Sequence, residues 1–240
     1  MAAADVQPPG ATMNPQSHSI PRLAQPISRA DRVRDALQDA ILDGTLEQGR
    51  PLVERQLAEL LGVSKTPIRE ALKQLLSSGL VVANAYQGVS VRRLDAHTAR
   101  EVYAAREAVE PEAVRMAVQR QGAGPNILAR QALTEAQARL ESDQRAQLGL
   151  ANRRFHRALY VGCGNDLLCD FLDKIQVLSA FLATAGWRFA PTFAREAEEH
   201  RVILDSVERG DADEAERRLR EHVQQASSAW LSSLDHGETS

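Results

Sequence analysis

GRPLVERQLAELLGVSKTPIREALKQLLSSGLVVANAYQGVSV, residues 49–91, is the stretch from which the architecture of this chain is read. Leu57, Leu60 and Leu61 are the apolar positions of a short helix over 53–61. Gly62-Val63-Ser64 is a turn, and Ser64 is a suitable N-cap for the segment that follows. Thr66 is a second capping candidate, with Glu70 a little beyond capping-box distance. The next helix is expected from about 65 to 78, burying Ile68, Leu72 and Leu75, and Gly79 closes it. The period then changes. Leu80-Val81-Val82 and Val89-Ser90-Val91 read as short strands, with Ala85-Tyr86-Gln87-Gly88 as the hairpin turn between them.

Upstream, Val33, Leu37, Ala40 and Ile41 recur at helical spacing over 29–42, and Gly44 can end that helix. GTLEQGRPL, 44–52, is rich in turn residues and reads as a loop. Helix, helix, turn, helix and β-hairpin is the order of a winged helix-turn-helix. Such a fold inserts the N-terminal end of its second motif helix into the major groove. Here that end carries Ser64, Lys65, Thr66 and Arg69. Its cations can reach phosphates or guanine edges, and its hydroxyls and free amides can bind phosphate. Arg55 on the preceding helix is placed to hold the DNA backbone, and Gly88 lets the wing tip approach it. Taken without the rest of the motif, these charges read more readily as a solvated charged face on a small helical subdomain.

The composition agrees with a helical protein. Of 240 residues, 43% are hydrophobic and 25% charged, which is ordinary for a globular chain. Aromatics are only 4%, so the core must be built from Leu, Ala and Val. The net charge of −3 is unevenly placed: residues 27–94 carry ten Lys/Arg against eight Asp/Glu, and the remainder after 94 is acidic. No apolar run approaches the roughly 18 residues of a membrane span. Residues 1–26, with five of the ten prolines, read as a disordered tail without a secretory signal. Cys163 and Cys169 are expected as reduced thiols of a cytoplasmic protein, with a disulfide as the other reading and zinc spacing absent.

From Ala96 the chain is expected to be helical almost to its end, at about 97–120, 125–142, 146–162, 166–184, 192–209 and 212–234. The breaks are Gly122-Ala-Gly124-Pro125, Gly162-Cys-Gly164-Asn165, Gly186 with Pro191, and Gly210-Asp211. The fold class is therefore mainly α: an N-terminal winged helix-turn-helix over 27–94 and an antiparallel six- or seven-helix bundle over 95–235, followed by a tail, 236–240.

Three of the six histidines fall on apolar stripes of three different bundle helices. One stripe is Leu148, Asn152, Phe155/His156, Leu159; the second is Phe193, Ala197, His200, Leu204, Val207; the third is Ala215, Leu219, His222, Ala226, Trp230. Asn152 and His156, at i and i+4, point the same way. One inward histidine is usually a hydrogen-bonded core residue, but three on separate helices suit Zn, Ni or a similar divalent ion. Glu199 and Glu221, each preceding a histidine, are expected on another face. Arg106 lies on the stripe Val102, Arg106, Val109, Ala113 and needs a partner. Two readings stay open: an ion pair with Glu110, or an anchor for a carboxylate effector.

The 49–91 stretch closely resembles the DNA-binding domain of the GntR family. The resemblance rests on Glu54-Arg55-x-Leu57-Ala58, on Gly62-Val63-Ser64-Lys65-Thr66-Pro67-Ile68-Arg69-Glu70-Ala71-Leu72, on Gly79-Leu80 and on the wing glycine Gly88. It implies Arg55, Lys65 and Arg69 as the principal DNA contacts, supported by Ser64 and Thr66. Lys65 stands where Arg is commoner and cannot form the planar bidentate pair with guanine. The acidic half resembles the FCD ligand-binding domain of the FadR-like branch, through Arg106-Glu107-x-x-Glu110, Asn152-x-x-Phe155-His156, Gly164-Asn165, Glu199-His200 and Glu221-His222. Many such domains hold a divalent metal with one Asp and three His. The resemblance implies His156, His200 and His222 as those histidines, with Asn152 in the place of the Asp, an oxygen ligand without charge.

The expected function is a ligand-responsive transcription regulator, a repressor, that binds double-stranded operator DNA as a homodimer. Its bundle would sense a small carboxylate with a divalent metal. A fatty acyl-CoA effector without metal is the alternative within the same branch. A metal-dependent helical-bundle enzyme and a purely architectural DNA-binding protein are the competing classes. The enzyme is disfavoured because no general base, phosphate loop, nucleophile elbow or nucleotide fingerprint accompanies the histidines.

Overall fold

The computed structural model describes residues 28–84, 88–140, 144–189 and 192–237. The tail expected over 1–26, the hairpin turn at 85–87 and residues 238–240 lie outside them. The element order is α1 (Arg29–Leu42), α2 (Glu54–Leu61), α3 (Lys65–Ser77), β1 (Val81–Asn84), β2 (Gly88–Val91), then α4 (Ala96–Gln121), α5 (Ile127–Arg139), α6 (Arg145–Tyr160), α7 (Asp166–Gly186), α8 (Phe193–Glu208) and α9 (Ala212–Gly237). The molecule is thus a head of three helices and a small strand pair, followed by a bundle of six helices.

Local chemistry explains the head. The Ser28 hydroxyl accepts from the Asp31 amide at 3.0 Å and the Asp31 carboxylate accepts from the Ser28 amide at 3.3 Å, closing a reciprocal cap on α1. Val33, Leu37 and Ile41 bury the inner stripe of α1 against α3. Between α2 and α3 the chain turns at Gly62, whose φ of 63° and ψ of 34° are left-handed, a conformation that favours glycine. Pro67 sits in the first turn of α3, where its missing N–H leaves no helical bond unmade. Ser64 takes the extended backbone of an N-cap, but its side chain makes no capping hydrogen bond. β1 and β2 pair antiparallel, with Val81 opposite Val91 and Asn84 opposite Gly88.

The segment 44–52 is more than the expected loop. Pro51 bridges Ser90, the Leu52 amide donates to the Val89 carbonyl at 2.8 Å, and the Gly49 amide donates to that of Val91 at 2.9 Å. It therefore covers the open edge of β2. Its turn residues hid this pairing from a reading by composition.

In the bundle, α4 packs on α9, α7 and α6, α5 on α6 and α8, and α8 on α9. Pro111 lies inside α4, where it removes the N–H that would bond the Glu107 carbonyl. Arg220 of α9 supplies the replacement, donating to that carbonyl at 3.1 Å. The head is docked on the bundle: Ala146 of α6 and Val177, Ala180 and Phe181 of α7 belong to the same apolar core as Ile41, Leu46 and Leu75. Of the described helices, none is long and apolar enough to cross a membrane.

Candidate functional site: a buried histidine cluster beneath a DNA-binding head

The inward stripes of α6, α8 and α9 converge. His156, His200 and His222 are all buried, and each offers a ring nitrogen within 4.8 Å of those of the other two. Two carboxylates fix their tautomers. Glu110 Oε1 lies 2.7 Å from His156 Nδ1, and Glu199 Oε2 lies 2.7 Å from His222 Nδ1. A carboxylate only accepts, so both Nδ1 atoms carry the proton and both Nε2 atoms present a lone pair. His222 Nε2 faces His200 Nε2 at 3.2 Å. His200 is therefore the donor in that contact, as the Nε2–H tautomer. His156 Nε2 has no partner at all, and neither does Asn152 Oδ1; they are the buried side-chain polar atoms left unsatisfied among the described residues.

Electrostatics keeps His156 and His200 neutral. Burial pushes His156 down to about 4, against the pull of Glu110. Burial and the neighbouring His222, His156 and Arg106 hold His200 well below its ordinary value. Burial would raise Glu110, but the Arg106 guanidinium and His156 outweigh it and hold the carboxyl down to about 2. Neutral imidazoles braced through Nδ1 by carboxylates form the usual donor set for a borderline divalent ion. The two unpartnered atoms, His156 Nε2 and Asn152 Oδ1, fit that use, because an orphaned buried polar atom is costly unless something completes it.

Of the two readings of Arg106, its contacts show the ion pair with Glu110. Its Nε donates to Glu110 Oε2 at 2.8 Å and its Nη1 to Ser179 Oγ at 2.7 Å, both fully buried. Nη2 lies 3.4 Å from His156 Nδ1, which is itself a donor and accepts nothing. That end of the guanidinium is left with donors to spend. It borders a small chamber of about 30 Å³, room for one water molecule, together with Tyr103, Asn152, Glu196, His222 and Trp230. Beyond lies a cleft of about 720 Å³ between α5, α6 and α8, lined by Leu133, Phe155, Phe193 and His200 among others. Asn152, Trp187 and Glu196 line both spaces and so form the partition between them.

The residues expected to meet DNA lie far from this cluster in sequence and on the outside of the head. Ser64, Lys65, Thr66 and Arg69 are exposed at the N-terminal end of α3, and Gly88 is exposed at the start of β2 with φ of 73°. Arg55 lies 3.7 Å from Glu59, and Arg69 Nε donates to Glu54 Oε2 at 2.7 Å. Both pairs are solvent-exposed, where ion pairs are worth little and exchange readily.

Known proteins share both parts. The model of the gntR family of bacterial regulatory proteins matches residues 29–91, and that of the FCD domain matches residues 101–225. The chain belongs to the GntR family. It is similar to the "Probable D-xylose utilization operon transcriptional repressor" of Paenarthrobacter nicotinovorans, 30% identical over 208 residues, covering 86% of this chain and 89% of that one. Two solved structures are alike over 85% of this chain and 98% of theirs, each at 25% identity. They are a GntR transcriptional regulator from Rhodococcus sp. RHA1, with a TM-score of 0.72, and Escherichia coli McbR/YncC, with 0.71. This GntR-family protein is thus a DNA-binding transcription regulator of winged helix-turn-helix and FCD architecture, and its matched domains are regulatory rather than enzymatic.

Three carboxylates of the site escaped the sequence reading, in whole or in part. Glu199 was expected on another face, yet it grips His222: α8 and α9 lie side by side, so the flank of α8 next to His200 looks onto α9. Glu110 was read only as a partner of Arg106, whereas it also braces His156 from across the bundle and accepts from Gln176 Nε2 at 2.9 Å. Glu196 is the third of these carboxylates. It stands four residues before His200, the same spacing that drew attention to Asn152 before His156, and that spacing could have found it.

Proposed function

We propose that this regulator is a repressor of the FadR-like branch that binds a pseudo-palindromic operator as a homodimer and releases it when a small carboxylate enters the bundle. A divalent ion held by Asn152, His156, His200 and His222 would bind and polarise that carboxylate. Arg55, Ser64, Lys65, Thr66, Arg69 and Gly88 would meet the DNA, and the open end of Arg106 would meet the effector. The observation that carries the sensor half is the pair of unpartnered atoms, Asn152 Oδ1 and His156 Nε2, inside a cluster of three buried histidines. For His200 to ligate through Nε2, its proton must sit on Nδ1, a change of tautomer that releases no net proton.

Zn and Ni both suit three imidazoles, and the uncharged Asn152 leaves the ion more of its positive charge for an anionic effector than an Asp would. The test is titration of the metal-loaded protein, on a fragment of its own promoter, with small carboxylates. The reading requires that at least one of them lower operator affinity at least about tenfold, the lower range of measured allosteric coupling. A protein that holds its operator equally in every carboxylate offered, with metal present, contradicts it.

A further inference from the structure

Glu196 is a charged side chain in a cavity whose other charges already have partners. It is buried, and one of its oxygens is fully engaged: Oε1 accepts from Trp187 Nε1 at 3.2 Å and from Thr192 Oγ1 at 2.5 Å. Oε2 has no printed donor among the described residues and is not among their buried atoms left without a partner. Glu196 lines both the chamber with Arg106 and His222 and the cleft with His200. Arg106 is paired through Nε with Glu110 at 2.8 Å, and Glu199 with Arg195 at 3.3 Å. Glu196 makes no ion pair with a described residue, although the charge of Arg106, on the same chamber, acts on it.

The geometry points to Glu196 as the specificity-determining residue of the effector site: its Oε2 accepts a hydrogen bond from a hydroxyl borne by a monocarboxylate effector and repels a second carboxylate. This rests on the metal-and-carboxylate reading above. Arg106 and Glu110 cancel, and a divalent ion exceeds Glu196 by one positive charge. A monoanion closes the balance; a dianion overshoots it and sets one carboxylate against another. A zwitterionic amino acid brings no net charge and leaves the excess in place. An unsubstituted fatty acid leaves Oε2 stranded in apolar surroundings, and a buried acceptor denied its partner is penalised more than the bond itself is worth. The bracing by Trp187 and Thr192 fixes the carboxylate from behind, so that it reads a ligand rather than adapting to one.

Calorimetric titration of the full-length, zinc-loaded protein with matched probes tests this: lactate, 3-hydroxypropionate and gluconate against propionate, hexanoate, succinate and adipate, with alanine for the ammonium. At least one hydroxylated monocarboxylate is expected to bind about tenfold or more tightly than both its unsubstituted and its dicarboxylate counterparts. Glu196→Gln should narrow the margin over the dicarboxylates to about threefold or less, and Glu196→Leu the margin over the unsubstituted acids. Because each variant is judged by ratios between its own affinities, a general loss of stability does not imitate the result. Equal binding of hydroxylated and unsubstituted acids, tighter binding of a dicarboxylate or of alanine, or margins unchanged in both variants overturns the role of Glu196 while leaving the metal-and-carboxylate site standing. Failure of every carboxylate to bind overturns that site, and this inference with it.

Discussion

Trp187 and Arg188 are neighbours in the chain that serve different halves of the molecule. The Trp187 indole donates to Glu196 at 3.2 Å within the partition between the chamber and the cleft. The Arg188 guanidinium donates to the carbonyl of Asp43, the C-cap of α1, at 2.5 Å, and packs so closely over Gly44 that a Cβ there would collide with it. α7 repeats this division along its length: Gln176 and Ser179 face the buried charges, while Val177, Ala180 and Phe181 enter the core of the head. Any effector that displaces Trp187 acts on the element that carries the head.

Arg188→Ala should therefore separate sensing from response. Effector affinity should stay within about twofold of the parent, while the effector-induced change in operator affinity shrinks. The product of the two linked equilibria is measurable by titrating DNA with and without effector. An unchanged coupling in the variant would show that the signal takes another route.

Arg69 is a second separable part. In the free protein it is paired with Glu54 across an exposed surface, an interaction of about 0–1 kcal/mol. Arg69→Ala should leave the thermal midpoint and the metal content unchanged yet cost about 1–3 kcal/mol of operator binding. Fluorescence anisotropy at several salt concentrations reads both the loss and the change in salt slope. Operator binding equal to that of the parent would remove Arg69 from the interface.

The histidine cluster also makes a pH prediction. His156 is pushed from its ordinary 6.5 down to about 4, and His200 moves in the same direction, each chiefly by burial. The unfolded chain therefore takes up protons on these rings, between about pH 6.5 and 4, that the folded chain refuses. Stability from the neutral rings is complete above 6.5 and is lost as the pH falls through that window. The metal-free protein should show a falling thermal midpoint from pH 7 to 5, and His200→Gln should show a shallower fall. Parallel pH profiles for the two proteins would contradict this assignment.

How much of this was legible in the sequence follows from what a one-dimensional pattern can carry. The winged head was legible because its turns, caps and glycines are local: Gly62 and Gly79 punctuate the helices where expected. The convergence of His156, His200 and His222 was legible because a stripe at i and i+4 on a bundle helix faces the bundle axis. The second ring of carboxylates was not, since the reach of Glu199 to His222 and of Glu110 to His156 depends on which helices are neighbours and at what angle. The same limit hid the pairing of 49–52 with β2 and the rescue of the Glu107 carbonyl by Arg220, both contacts between segments distant in sequence.

The most direct test of the account is the metal content of the protein purified without a metal-affinity step, beside that of His200→Ala and Glu199→Gln. Close to one divalent ion per chain is predicted for the parent. Loss of the ion is predicted for His200→Ala, and affinity weaker by about 10–100-fold for Glu199→Gln, with operator binding by the effector-free protein retained in both. A parent that takes up no ion at micromolar metal, or a His200→Ala variant that keeps it, would contradict the assignment of the buried histidines.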